Sequence, residues 1–289
     1  MKNEAASWLD KLRVLPQYFI PQHFITSLVY RITRCETPWF KNILIKLFIS
    51  VFDVDMTLAN NPDPESYSSF NTFFTRALSP EARPISLDEH IIFCPVDGEV
   101  SQVGNIQNDT IIQAKGKSYT LKDLLVDDEF VSMFSGGTFA TLYLSPKDYH
   151  RIHMPVSGQL KRMIYVPGKL FAVNSHTIRV VDSVFANNER VINIFNTDIG
   201  PMAMIMVGAL NVGSMETVWA GEITPAEDRI INNTRYSDGD VQLAQGQEMG
   251  RFNMGSTVIL LFPKDVMQWS DEMKAEKVIV MGESIGHVK

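Results

Sequence analysis

Pro95-Val96-Asp97-Gly98-Glu99-Val100 and Pro155-Val156-Ser157-Gly158-Gln159-Leu160 share a Pro-Val-x-Gly-x-aliphatic frame. Each reads as a tight turn opening a strand, with glycine at a backbone angle other residues resist. From Ile91 onward the same pattern continues in short β-branched and apolar runs punctuated by Gly and Pro: Thr110 to Gln113, Thr138 to Leu144, Val191 to Phe195 and Val258 to Phe262. Two copies sixty residues apart are what a duplicated β unit would leave, although six residues are also short enough for chance.

Upstream the pattern is helical. Between Arg13 and Arg31 no charged residue occurs, but Pro16 and Pro21 interrupt the run and Gln17, Gln22 and His23 make it polar, so it reads as short helices lying flat. Phe40, Ile43, Leu44, Leu47, Phe48 and Val51 then recur at helical spacing, with Lys41 and Lys46 off the stripe. Such a stripe packs on the protein's own core or on a lipid surface; the flanking bases, with Trp8 and Trp39 suited to headgroup depth, favour the lipid surface. Turn-rich breaks at Asn60 to Glu65 and at Ser79 to Pro84 end this part near residue 90. The expected fold is α+β: an N-terminal helical lobe, 1–90, that associates with membranes, then a β-rich catalytic domain, 91–289.

Charge is divided in the same way. The chain has 289 residues, enough to bury a sizeable core, and carries a net −7, yet residues 1–50 hold seven bases against three acids. The basic part lacks a dense Lys/Arg stripe and is rich in apolar groups, which fits an anionic lipid surface and argues against nucleic acid. Cys35 and Cys94 form no metal or disulfide pattern, so a reducing compartment is expected. No stretch reads as a secretory signal or reaches the roughly 20 apolar residues of a membrane span, so an unexported, peripheral protein is expected.

Common catalytic signatures are missing. No G-x-G-x-x-G follows a strand, Gly116-Lys117-Ser118 lacks the upstream glycine of a phosphate loop, and neither Ser214 nor Ser256 lies in G-x-S-x-G. His150 and His153 are spaced for a metal, but no Glu or Cys accompanies them as zinc sites require, and no metal is expected. His23, His90, His176 and His287 suggest no role.

Leu144-Ser145-Pro146-Lys147-Asp148-Tyr149-His150-Arg151-Ile152-His153-Met154-Pro155 is similar to the long signature of the phosphatidylserine decarboxylases. Pro95 to Gly98, Phe70-Asn71-x-Phe73-Phe74-x-Arg76, Glu216 to Gly221 and Gly246 to Phe252 resemble further segments of that family, in the same order. Met254-Gly255-Ser256-Thr257 resembles the Leu-Gly-Ser-Thr cleavage motif of its bacterial, membrane-associated branch. Met254 is a volume-similar replacement for Leu, and bears on cleavage rate more than on cleavage itself.

The resemblance implies self-cleavage between Gly255 and Ser256 into chains 1–255 and 256–289, which stay together and pair into a homodimer. Ser256 would become an N-terminal pyruvoyl group, the covalent cofactor, which forms a Schiff base with phosphatidylserine and releases CO₂ and phosphatidylethanolamine. That chemistry needs an electron-accepting carbonyl, which ordinary side chains lack. A glycine before the serine leaves the attacked carbonyl open. Asp97, His153 and Ser256 match the family's Ser-His-Asp set, His150 is the candidate for proton handling or headgroup recognition, and Asp148 either orients one of the histidines or is simply a solvated loop residue. The expected location is the cytoplasmic face of the cell membrane.

Two other readings remain at this point. A membrane-surface serine hydrolase would use Asp97, His153 and Ser256 without cutting its own chain. A non-catalytic lipid-binding module would use the β core only to carry the basic, aromatic lobe. Phe70, Phe73 and Phe74 are either plain core or the lining of a lipid path.

Overall fold

The computed structural model describes residues 6–85, 88–210, 214–224, 229–254 and 257–289. Helices come first. Helix α1 (Trp8–Val14) starts at a capping box in which Ser7 and Asp10 satisfy each other's backbone N–H groups. Pro16 opens a short 3₁₀ turn, Leu15–Tyr18, and Pro21 precedes α2 (Gln22–Thr33), so both prolines sit where a missing N–H costs nothing. Helix α3 (Pro38–Phe52) ends at Asp53 in the left-handed region, and the short α4 (Phe70–Phe74) is capped by Ser69.

The apolar stripe of α3 does not form a single face. Leu44, Ile45, Phe48 and Ile49 turn inward onto Phe70, Phe73 and Phe74, whereas Trp39, Ile43, Leu47 and Val51 are exposed, Val51 by 64%. Lys41, expected off the stripe, is buried because its ammonium donates to the Glu65 carbonyl and the Asn42 side chain. The expected face therefore divides: half of it closes a small core and half is uncovered.

The β part is dominated by a nine-stranded antiparallel sheet among the described residues. Its order runs Asn232–Arg235, Gly158–Val166, Arg190–Thr197, Gly200–Val207, Thr257–Phe262, Thr138–Tyr143, Gly98–Asn105, Val278–Ile279, with Gln242–Leu243 also on Gly158–Val166. Thr257–Phe262 lies in the middle and all six of its residues are buried, which is why it reads as an unbroken apolar run. The chain position after Ser256 thus begins the central strand. A smaller four-stranded sheet, Gly221–Glu222, Met215–Thr217, Glu248–Phe252 and Arg151–His153, gathers three of the motif segments.

Gly98 and Gly158 each open a strand of the large sheet, as the echoed frame predicts, but for different reasons. Gly98 has a φ of +157°, and a Cβ there would sit 2.2 Å from the Tyr143 carbonyl oxygen. Gly158 is required by space alone, since a Cβ would come within 3.0 Å of the Thr197 methyl group. The expected special backbone angle therefore holds only for the first.

Candidate active site

His150 immediately precedes the strand Arg151–His153 of the small sheet and His153 ends it, and the two have different surroundings. His150 is completely buried, with its ring 4.1 Å from that of Phe74. Its Nδ1 lies 2.8 Å from the Asp148 carbonyl. A carbonyl only accepts, so Nδ1 carries the proton and Nε2 presents its lone pair. That Nε2 has no hydrogen-bond partner among the described residues. Burial pushes this imidazole down to about 3, against a small upward pull from the Asp148 carbonyl, so the ring is neutral at physiological pH. Asp148 does orient a histidine, but through its main chain; its carboxylate instead accepts from the Ser145 N–H at 2.6 Å, and burial raises its pKa.

His153 is held at both nitrogens. Nδ1 donates to the Gly246 carbonyl at 2.8 Å, which leaves Nε2 to accept the Tyr149 hydroxyl at 2.9 Å. Burial lowers this pKa too, while the Gly246 carbonyl pulls it upward. Asp97, expected to hold the ring, makes no hydrogen bond to it. Its carboxylate takes Arg83 across both oxygens, and Oδ1 also accepts the Met281 N–H at 2.7 Å. The backbone still brings the two segments together, with the His153 N–H donating to the Pro95 carbonyl at 2.9 Å. Asp97 therefore acts on His153 only through its field, which favours the protonated ring.

Gly255 and Ser256, the expected cleavage pair, lie outside the described residues. Their neighbours are described. Thr257 pairs with Tyr143 and Val207 in the large sheet, Phe252 N–H donates to the His150 carbonyl at 3.0 Å, and Met254 lines an apolar cavity of about 200 Å³ with Phe48, Phe52, Phe74, Tyr143 and Leu144. Phe74 thus both builds core and lines the cavity, whereas Phe70 and Phe73 are core alone. A second cavity of about 220 Å³ has charged groups in its lining, Arg76, Arg83, Asp97 and Asp148 among them, beside Tyr149. Larger open clefts, such as the one of about 690 Å³ beside Asp88 and Gln245, contain none of these groups.

Charged residues of the other motif segments brace the small sheet. Arg151 bonds the Thr75 carbonyl at 2.9 Å and Glu248 at 2.9 Å, and Arg251 pairs with Glu216 at 2.8 Å. Sequence reasoning missed Arg83, Tyr149 as a partner of His153, and Gly246. Tyr149, between Asp148 and His150, and Gly246, first residue of the Gly246 to Phe252 segment, lay within family-like motifs; Arg83 had no such signal.

Comparison with known proteins gives a consistent result. The profile of the family described as phosphatidylserine decarboxylase matches residues 70–287, and a second profile, described as PSD, matches residues 12–53. The chain is 55% identical over 258 residues to the phosphatidylserine decarboxylase proenzyme of Alkalilimnicola ehrlichii, covering 89% of this chain and 90% of that one. It is 48% identical over 281 residues to the proenzyme of the same name from Nitrosococcus oceani, covering 96% and 92% of the two chains. With that of Marinobacter nauticus it shares 50% identity over 280 residues, covering 96% and 98%.

Proposed function

The chain belongs to the phosphatidylserine decarboxylase family, and on that premise we propose that it cuts itself between Gly255 and Ser256 and decarboxylates phosphatidylserine with the pyruvoyl group so formed. It is an enzyme of phosphatidylserine decarboxylation, and the proenzyme names of its relatives mark a family that is processed. The observation that carries the finer reading is His150, a buried, neutral imidazole whose Nε2 has no partner among the described residues, immediately before the strand Arg151–His153, whose partner Glu248–Phe252 runs into the cleavage segment.

Self-cleavage begins when the Ser256 hydroxyl adds to the Gly255 carbonyl carbon. The C–N bond breaks, the freed amine takes a proton, and an ester remains; loss of the Ser256 Cα proton to a base and of the Gly255 carboxylate from Cβ gives dehydroalanine, to which water adds to leave the pyruvoyl group and ammonia. His153 serves as the base, because its Nε2 lone pair is fixed by the proton that Nδ1 gives to Gly246. Tyr149 occupies that nitrogen, so it either moves aside or relays the proton. Asp97, paired with Arg83, favours the protonated His153 ring through its field.

Once formed, the pyruvoyl group supplies the electron-accepting carbonyl on which CO₂ loss depends. The residues present fit it: His150 Nε2, without a partner among the described residues, is a buried acceptor, and Met254 beside the cleavage segment lines an apolar cavity.

The lipid would arrive from the uncovered side of the helices, residues 1–90 acting as the membrane-associating lobe and 91–289 as the catalytic part. Trp8, Leu12, Phe19, Phe24, Trp39 and Leu47 are all exposed, with Lys11, Arg13 and Lys46 beside them in the chain. No described helix is long and apolar enough to cross a membrane, which supports a peripheral contact through this face.

Intact-mass measurement of purified protein tests the reading. Two chains are expected, the 34-residue one starting with a carbonyl-bearing blocked residue, and S256A should remain full-length and inactive. A full-length active protein that a fluorophosphonate labels at Ser256 would instead establish a serine hydrolase. Vesicle binding with no change in headgroup composition would leave a lipid-binding module.

A further inference from the structure

Three residues before Ser256, the side chain of Asn253 is completely enclosed and bonded at both ends. Its Nδ2 donates to Ser214 Oγ and, at 3.3 Å, to Glu222; its Oδ1 accepts Asn71 Nδ2 of α4 at 3.1 Å. Its main-chain N–H donates to the Ser214 carbonyl at 2.9 Å. Ser214, only 1% exposed, passes its own proton to Glu222 at 2.7 Å. Glu222 is also gripped from α2 and its C-cap: Tyr30 donates to Oε2 at 2.8 Å, Arg34 pairs with Oε1, and the same Arg34 nitrogen reaches Ser214 Oγ at 3.2 Å. The next residue, Met254, packs against the α3–α4 core around Ile45 and Phe70. Both residues that lead into the bond to be cut are therefore held by side chains from the first 75 residues of the chain.

We propose that Glu222, with Arg34, Tyr30, Ser214 and Asn71, is a positioning clamp on Asn253 that aligns the Gly255–Ser256 bond, so that the N-terminal helices are part of the self-processing apparatus and not only its membrane contact. The inference deepens the self-cleavage reading and rests on it. Its physical basis is geometric. The serine oxygen must approach the carbonyl carbon to about 3–3.5 Å along a defined line, and a misplacement of about 1 Å costs on the order of a hundredfold in rate. A main chain fixed on the C-terminal side by the central strand still swings about its N-terminal side unless that end is tied too. Asn253 is that tie, with every donor and acceptor of its amide used, which also sets which way the amide points. One carboxylate, Glu222, collects the bonds of Ser214, Asn253, Tyr30 and Arg34, so a single substitution there releases all of them.

Cell-free pulse synthesis of the full chain, with conversion to chains 1–255 and 256–289 followed over time, tests the clamp. E222A should cleave at least about tenfold more slowly than wild type, R34A should also slow it, and R34K, which keeps a cation for Glu222, should restore much of the rate. Melting of the same substitutions in the uncleavable S256A background should stay close to that of S256A alone. Cleavage of both E222A and R34A within about twofold of wild type overturns the clamp. So does slowing that is matched by loss of folded S256A protein or left unrelieved in R34K. If E222A fails to fold, R34A and R34K, altered at a side chain 25% exposed, decide the matter. A wild-type chain that never cleaves defeats instead the self-cleavage reading beneath it.

Discussion

The central strand Thr257–Phe262 and helix α3 both read as apolar segments but are used oppositely. The strand is buried on all sides between Gly200–Val207 and Thr138–Tyr143, while α3 buries one side and leaves Trp39, Ile43, Leu47 and Val51 uncovered. The difference shows what each apolar residue is for. In the strand, apolar area is removed from water on folding, at about 25 cal/mol per Å², and immobilises the segment that follows the reactive serine. On α3 the outer residues add little to folding, and on the proposed reading they meet the lipid surface.

The largest effect that tests this contrast is truncation in the strand. Leu260→Ala should lower stability by about 2–5 kcal/mol in denaturant unfolding of the S256A precursor, since the site is enclosed and cannot collapse easily. A cost under about 1 kcal/mol would mean that the strand is not the core it looks like. The paired experiment is the combined Trp39→Ser, Ile43→Ser, Leu47→Ser variant. It should change stability by no more than about 0.5 kcal/mol per site yet weaken sedimentation with anionic vesicles by tenfold or more, roughly. Unchanged vesicle binding would remove the membrane role from this face.

Acid separates the same two regions. His150, in the sheet part, has a pKa pushed down to about 3 by burial, so the unfolded chain binds more protons than the folded one between about pH 6.5 and 3. Its contribution to stability is complete above pH 6.5 and is lost as pH falls, by up to about 1.4 kcal/mol per pH unit. Asp10, which ties α1 to the body, is held far below the usual carboxylate range, chiefly by Arg179, so its contribution is present above about pH 4 and is lost only below that. Between pH 6 and 4.5, hydrogen exchange should therefore speed up around His150 before it does in α1, and H150N should flatten the slope there, on the order of one proton. Exchange rising first in α1 would reverse the assignment.

The smallest expected effect is at Tyr149. Its hydroxyl donates to the His153 Nε2 lone pair and so favours the neutral ring. Y149F should raise the His153 pKa and move the acid limb of the cleavage-rate profile to higher pH, by about half a unit to one unit. A limb that does not move would mean that His153 is not the base.

Much of this was legible in the chain. The helical start, the β-rich remainder and the motif from Leu144 to Pro155 could be read because they depend on neighbours in sequence: proline positions, period and local spacing. The partners of the functional groups could not. Arg83 on Asp97, Gly246 on His153 and Glu222 on Asn253 join residues 14, 93 and 31 positions apart, and no local pattern encodes such a meeting. Lys41 was misplaced for the same reason, because the Glu65 carbonyl that draws it inward is 24 residues away.

Composition and order along the chain alone determined the α+β class, the family resemblance and the histidine pair, since each is a property of short windows. Only the tertiary structure decided that His150 is buried and neutral while His153 is braced at both nitrogens, and that Asp97 answers to an arginine. Desolvation and hydrogen bonding depend on what surrounds a side chain in space, and that is settled only once distant segments have packed together.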